Sequence, residues 1–114
     1  MGLKPLRPSL REKKRYVAFE VISQTSESMA SVATAIEQSF HDLYGAMGVA
    51  SAGLLFIKEK YNPGRQRGII RVTHTSVQPL MASFAWLQSC NGTPAIVCSR
   101  ACSGMLNKAA KVVI

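Results

Sequence analysis

The sequence predicts an α+β fold of the ferredoxin-like β-α-β-β-α-β kind, and three observations predict it. Residues 15–22 alternate apolar and polar side chains with the two-residue period of a strand. After Ser26 a long stretch repeats apolar residues every three or four positions, the period of a helix. Asn62-Pro63-Gly64 then forms a turn between two further strand-like runs, ahead of a second helical stripe. This order calls for a four-stranded antiparallel sheet with helices on one face, plus short terminal helical segments.

Taken in order, residues 1–8 carry Pro5, Pro8 and basic side chains and read as a flexible N-terminal arm; residues 9–114 read as one domain. Ser9-Leu10-Arg11-Glu12 has the form of a capping box, which predicts a helical turn before the first strand. In the first strand, Arg15–Ile22, Val17, Phe19 and Val21 share one face and Tyr16, Ala18 and Glu20 the other. Met29, Val32, Ile36, Phe40, Leu43, Tyr44 and Met47 form the stripe of the first helix, with Gly45 and Gly48 as its stops.

The second strand is expected over Gly53–Tyr61 and the third over Arg67–Thr73. Thr75 or Ser76 caps a second helix, whose first turn accommodates Pro79. Val77, Leu80, Met81, Phe84 and Ala85 are its apolar face, and Asn91-Gly92 ends it. Pro94–Arg100 is the fourth strand, and Ser103–Val113 a short terminal helix.

Two features exceed a two-layer fold. The second strand is apolar on both faces, Leu54 and Phe56 on one and Leu55 and Ile57 on the other. The terminal helix or a partner must cover the second face. Trp86 lies about 180° around its helix from Val77, either over a neighbouring loop or as an aromatic anchor for a protein partner. Tyr16, Phe56 and Ile69 are the further candidates for partner contact.

The net charge of +8 is sorted into blocks. Residues 1–15 carry +5, residues 58–71 carry +4, and residues 72–114 carry +3 without an acid. Residues 16–57 hold four acids and no Lys or Arg. Such sorting is the footprint of a polyanion ligand. The candidate contacts are Arg11, Lys13, Lys14 and Arg15, then Arg65, Arg67 and Arg71, then Arg100, Lys108 and Lys111. The starts of strands one and three fall at opposite ends of an antiparallel pair, so these residues form a strip across the sheet. The third strand has no aromatic residue, which disfavours base stacking and favours phosphates and structured RNA.

The carboxylates are few, His41 and His74 stand apart, and no phosphate-cradling glycine loop is present. The chain therefore reads as a binding module with no catalytic residues and no bound cofactor. Cys90, Cys98 and Cys102 make an odd count without zinc-site spacing and read as small apolar residues. No run approaches the ~20 apolar residues of a membrane span, and the expected compartment is the cytoplasm.

Arg11-Glu12-Lys13-Lys14-Arg15-Tyr16-Val17-Ala18-Phe19-Glu20-Val21 resembles the opening of archaeal ribonuclease P protein component 2. The resemblance continues through Asp42-Leu43-Tyr44-Gly45, Gly48-Val49-Ala50, Tyr61-Asn62-Pro63 and Gly68-Ile69-Ile70-Arg71-Val72, and ends near Ser103-Gly104 and Lys108-Ala109. The tail departs from the family's Ser-Gly-Thr-Ile stretch, since Met105, Leu106 and Asn107 follow Gly104. The resemblance implies a noncatalytic subunit of the enzyme that removes the 5′ leader from precursor tRNA, in which RNA and its Mg²⁺ are the catalyst. It implies ribonuclease P RNA, protein component 3 and other protein subunits as partners, with self-association a further option. The alternatives are an RNA-binding ribosomal or translational factor and a small acylphosphatase-like enzyme.

Overall fold

The computed structural model describes residues 13–90 and 92–113; the basic arm, the capping box and Arg11 lie outside them. Alternation makes Lys14–Ser23 the first strand, β1, and places it between two neighbours. Its partners are β3 (Arg67–Thr73) and β5 (Thr93–Ser103), both antiparallel to it. Two-residue strands complete the sheet at its edges, β2 (Leu55–Phe56) beside β3 and β4 (Ser89–Cys90) beside β5. The order is β2-β3-β1-β5-β4, so among the described residues the sheet has five strands where four were expected. The extra strand arises because the chain reverses at Gly92, at φ 79°, so that β4 pairs with β5; Asn91, expected with it as a helix stop, lies outside the described residues.

The first helix, α1 (Met29–Ala52), starts at Ser28, whose Oγ accepts from the Ser31 N–H at 3.2 Å. The expected stop at Gly45 is instead a break: this residue sits at φ 73°, ψ −178°, and the helix resumes to Ala52. A residue with a Cβ would resist that left-handed φ. The apolar stripe accordingly divides. Val32, Ile36 and Phe40 are buried, whereas Leu43, Tyr44 and Met47, around the break, are exposed.

The second strand is shorter than the alternation suggested. It ends at Phe56, and Lys58–Lys60 make a single 3-10 turn. Its two-sided pattern nonetheless has a cause. Phe56 packs into the core beneath the long helices, and Ile57 packs on the opposite side of the sheet. The second helix, α2 (Val77–Trp86), follows a 3-10 turn at His74–Ser76 and ends earlier than expected. Leu80 and Phe84 are buried while Ala85 is exposed.

Helices thus occupy both faces. On one face, Val17, Phe19, Val21, Ile70 and Val72 meet α1 and α2. On the other, Ala18 and Ile69 meet Ala109 and Val113 of α3 (Leu106–Val113). Of the two covers expected for the second face, the terminal helix provides it: Leu106, Ala109, Ala110 and Val113 of α3 recur at helical spacing against the sheet, so the helices are not confined to one face. Among the described residues the outer edge of β5 is paired over residues 93–95, by β4 and by the Ala95 N–H, which donates to the Gln88 carbonyl at 3.1 Å.

Gly68 is where β3 passes closest to two aromatic rings. A Cβ there would lie 2.8 Å from Phe19 Cζ and 3.0 Å from Tyr61 Cδ1. Gly68→Ala should therefore destabilise the fold by about 1–3 kcal/mol through overpacking. Urea titration checks this, with Gly64→Ala as the control, because a Cβ at Gly64 meets only Asn62 Oδ1 at 3.4 Å.

Candidate nucleic-acid interface

The basic residues mark the two ends of one strand pair. Lys14 lies opposite Thr73 and Glu20 opposite Arg67. At ~3.3 Å per residue the two ends are about 20 Å apart. Lys13, Lys14 and Arg15 sit at one end with Arg71 close by, opposite Tyr16; Arg65 and Arg67 sit at the other.

The fold engages some of these cations and leaves others in solvent. Lys14 Nζ lies beside Gly53, the left-handed residue that ends α1, where a Cβ would stand 3.6 Å from it. The last turn of α1 has no basic residue of its own, so Lys14 meets the negative end of the helix dipole. Arg15 Nη1 donates to the Lys14 carbonyl at 3.4 Å, and the guanidinium packs over Gly104.

Arg67 is the most fully engaged. Its Nε donates to Glu20 Oε2 at 3.3 Å and its Nη1 to the Val112 carbonyl at 3.0 Å. Asn62 Nδ2 donates to the Val113 carbonyl at 3.1 Å. The carbonyl end of α3 is therefore held by two side chains from the β2–β3 region. Arg100 is the extra residue of a β-bulge in β5, which turns its Nη1 to 3.6 Å from Glu20 Oε1.

Arg71 differs from both. Its Nε is buried without a hydrogen-bond partner, and no carboxylate pairs with it among the described residues. Lys13, Arg65, Lys108 and Lys111 are exposed. Lys108 and Lys111 lie three residues apart on α3, while Leu106, Ala109 and Val113 turn inward. The sheet face that single-strand RNA modules use for stacking is thus roofed by a helix with lysines outside.

The sequence model of the Rpp14/Pop5 family matches residues 15–114. This chain belongs to that family. It is 33% identical to ribonuclease P protein component 2 of Pyrococcus abyssi over 111 residues, 97% of this chain and 92% of the relative. It is 34% identical to the protein of that name from Methanosarcina barkeri over 107 residues, 94% of this chain and 76% of the relative. In fold it is similar to a chain of yeast ribonuclease MRP solved by cryo-electron microscopy. The TM-score is 0.67 at 14% identity, over 90% of this chain and 86% of that one.

In this Rpp14/Pop5 family member the residues expected to meet a protein partner are not equivalent. Trp86 is 55% exposed. Tyr16 is half-buried against α3, and Phe56 half-buried in the core on the other face. Ile69 is fully buried under α3, which corrects its expected place on a partner surface. Sequence reasoning missed Glu20 and Asn62. The signal for Glu20 is a charge directly opposite Arg67, readable only once the strands are in register.

Glu27 is buried and organises the β1–α1 connection. Thr25 Oγ1 donates to its carboxylate at 3.0 Å, its own N–H donates to Gln66 Oε1 at 2.8 Å, and Tyr61 OH donates to its carbonyl at 2.8 Å. Burial first, then the charge of Glu27 and a hydrogen bond to it, push the Cys90 thiol up to about 11. Among the described residues, no three of His, Cys, Asp and Glu gather as a metal site. No described helix is long and apolar enough to cross a membrane.

Two outcomes follow from these contacts. Arg67→Ala should loosen α3, speed amide exchange in residues 106–113 and cost about 1.5–3 kcal/mol, the range for hydrogen bonds to a charged group. Arg65→Ala, at an exposed site, should change neither reading in the same exchange experiment. Folding raises the Cys90 pKa from 9.0, so its contribution to stability is complete below pH 9 and lost as pH rises toward 11. Denaturant titrations across that window should show a smaller decline in Cys90→Ala than in the parent chain.

Proposed function

We propose that this chain is a noncatalytic protein subunit of ribonuclease P, which binds the catalytic RNA and supports removal of the 5′ leader from precursor tRNA. The observation that carries the reading is the family match over residues 15–114, with relatives named ribonuclease P protein component 2. Protein component 3 and other protein subunits would be its protein partners, Mg²⁺ would be held by the RNA, and the work would take place in the cytoplasm. The strand order β2-β3-β1-β5 supports a ferredoxin-like plan with an added edge hairpin.

The distribution of charge supports a specific mode of contact. Lys108 and Lys111 on the outside of α3, with Lys13, Arg65 and Arg100, would meet phosphates. Arg71, half-buried with its Nε turned away from solvent, would contribute its charge to this surface. Arg67 and Lys14 would act mainly by holding α3 and the end of α1 in place. The fold-held cations position the surface, and the solvent-facing ones neutralise RNA strands that approach one another.

Reconstitution tests the reading. The full chain, added with protein component 3 to ribonuclease P RNA, should raise the rate of precursor-tRNA cleavage, and the chain freed of RNA should not cleave. RNA affinity should fall steeply with salt, each lost phosphate contact flattening the log–log slope by ~0.7–0.9. Charge-removing changes at Lys108, Lys111 and Arg65 should flatten it with the melting temperature unchanged. Cleavage by RNA-free protein, or a slope indifferent to these changes, would refute the proposal.

A further inference from the structure

A cleft of about 610 Å³ lies between the first half of α1 and the segment that leaves α2 for β4. Thr34, Gln38 and Asp42 line it from α1, and Trp86 and Gln88 from the other side. Among the described residues its only charged lining side chain is Asp42. Gln38 Nε2 donates to Asp42 Oδ1 at 2.8 Å, which orients the carboxylate, and no Lys, Arg or His pairs with it among the described residues. The indole of Trp86, 55% exposed, offers a flat face beside it.

We propose that this cleft receives an arginine side chain of a partner protein, stacked on Trp86 and paired with Asp42. An indole face attracts a guanidinium, and a carboxylate accepts two parallel hydrogen bonds from it. Lysine satisfies the charge but not the planar stack. Charge excludes the rival occupants. α1 carries Glu37 and Asp42 and no Lys or Arg, so a phosphate backbone is disfavoured at this wall. Tryptophan and arginine are also the side chains most often dominant at protein interfaces. The cleft therefore belongs to a protein contact separate from the lysine-bearing roof of α3.

The choice of probe rests on the ribonuclease P reading. Trp86 is the single tryptophan, so fluorotryptophan incorporated in the full chain gives one fluorine resonance that reports on the cleft. The labelled chain is titrated with ribonuclease P RNA, with the protein subunits of the same source, and with those subunits after arginine modification by phenylglyoxal. RNA affinity is measured in the same samples. The untreated protein subunits should shift the resonance and RNA alone should not. Phenylglyoxal should abolish the shift, and Asp42→Asn should weaken subunit binding about tenfold, roughly 1.4 kcal/mol, at unchanged RNA affinity. A shift caused by RNA alone, or one indifferent to phenylglyoxal or to Asp42→Asn, overturns the proposal. A chain that binds RNA yet leaves Trp86 unshifted by the subunits overturns the cleft alone. A chain that binds neither overturns the ribonuclease P reading as well.

Discussion

Glu20 receives two arginines from the strands beside it, and one of them, Arg67, reaches onward to the Val112 carbonyl at the end of α3. Three strands and the terminal helix therefore converge on one carboxylate. An exposed ion pair contributes little by itself. Here Arg67 is 17% exposed and also satisfies a helix-terminal carbonyl, so the contact fixes where α3 lies as well as pairing charge. With α3 in place, Ala18 and Ile69 are core; without it the sheet would offer water a continuous apolar face.

That roof changes what the molecule can recognise. An open four-stranded sheet invites unstacked bases onto its aromatics. This sheet has no aromatic on β3, and its centre is capped by aliphatic packing from α3. On the proposed reading the outward lysines of α3 would meet phosphates in place of base edges. On the opposite side α1 is acidic and the cleft beside it contains no cation among the described residues. Two kinds of surface, one suited to phosphate and one to cationic side chains, are separated by the thickness of the fold.

Periodicity made most of this architecture legible. β3 falls where the alternation placed it, and β1 differs by one residue at each end. Period-two and period-3.6 patterns record which side of an element is buried, and here they record it faithfully for Val17, Phe19, Ile36 and Leu80. Where the reading failed, the cause was nonlocal. Gly45 looked like a stop because a left-handed glycine usually ends a helix, yet packing of Ala52 into the core draws the chain on. The paired apolar faces of Leu54–Ile57 were visible, but only α3 shows what Ile57 packs against. Arg67 and Arg65 are alike in sequence; register alone sets one opposite Glu20 and leaves the other in solvent.

The outer edge of β5 carries a consequence for the chain on its own. Past Ala95 no strand pairs with that edge among the described residues, and Ile96 there is 62% exposed. Open, apolar edges recruit foreign strands and seed aggregates. Two features already described limit the hazard: the β4 segment occupies the entrance as far as the Ala95 N–H, and the bulge at Arg100 bends the strand away beyond Ser99. An intruding strand would find a straight template only over residues 96–99. The same irregularity that turns Arg100 toward Glu20 thus guards the solubility of the newly made protein before it reaches any partner.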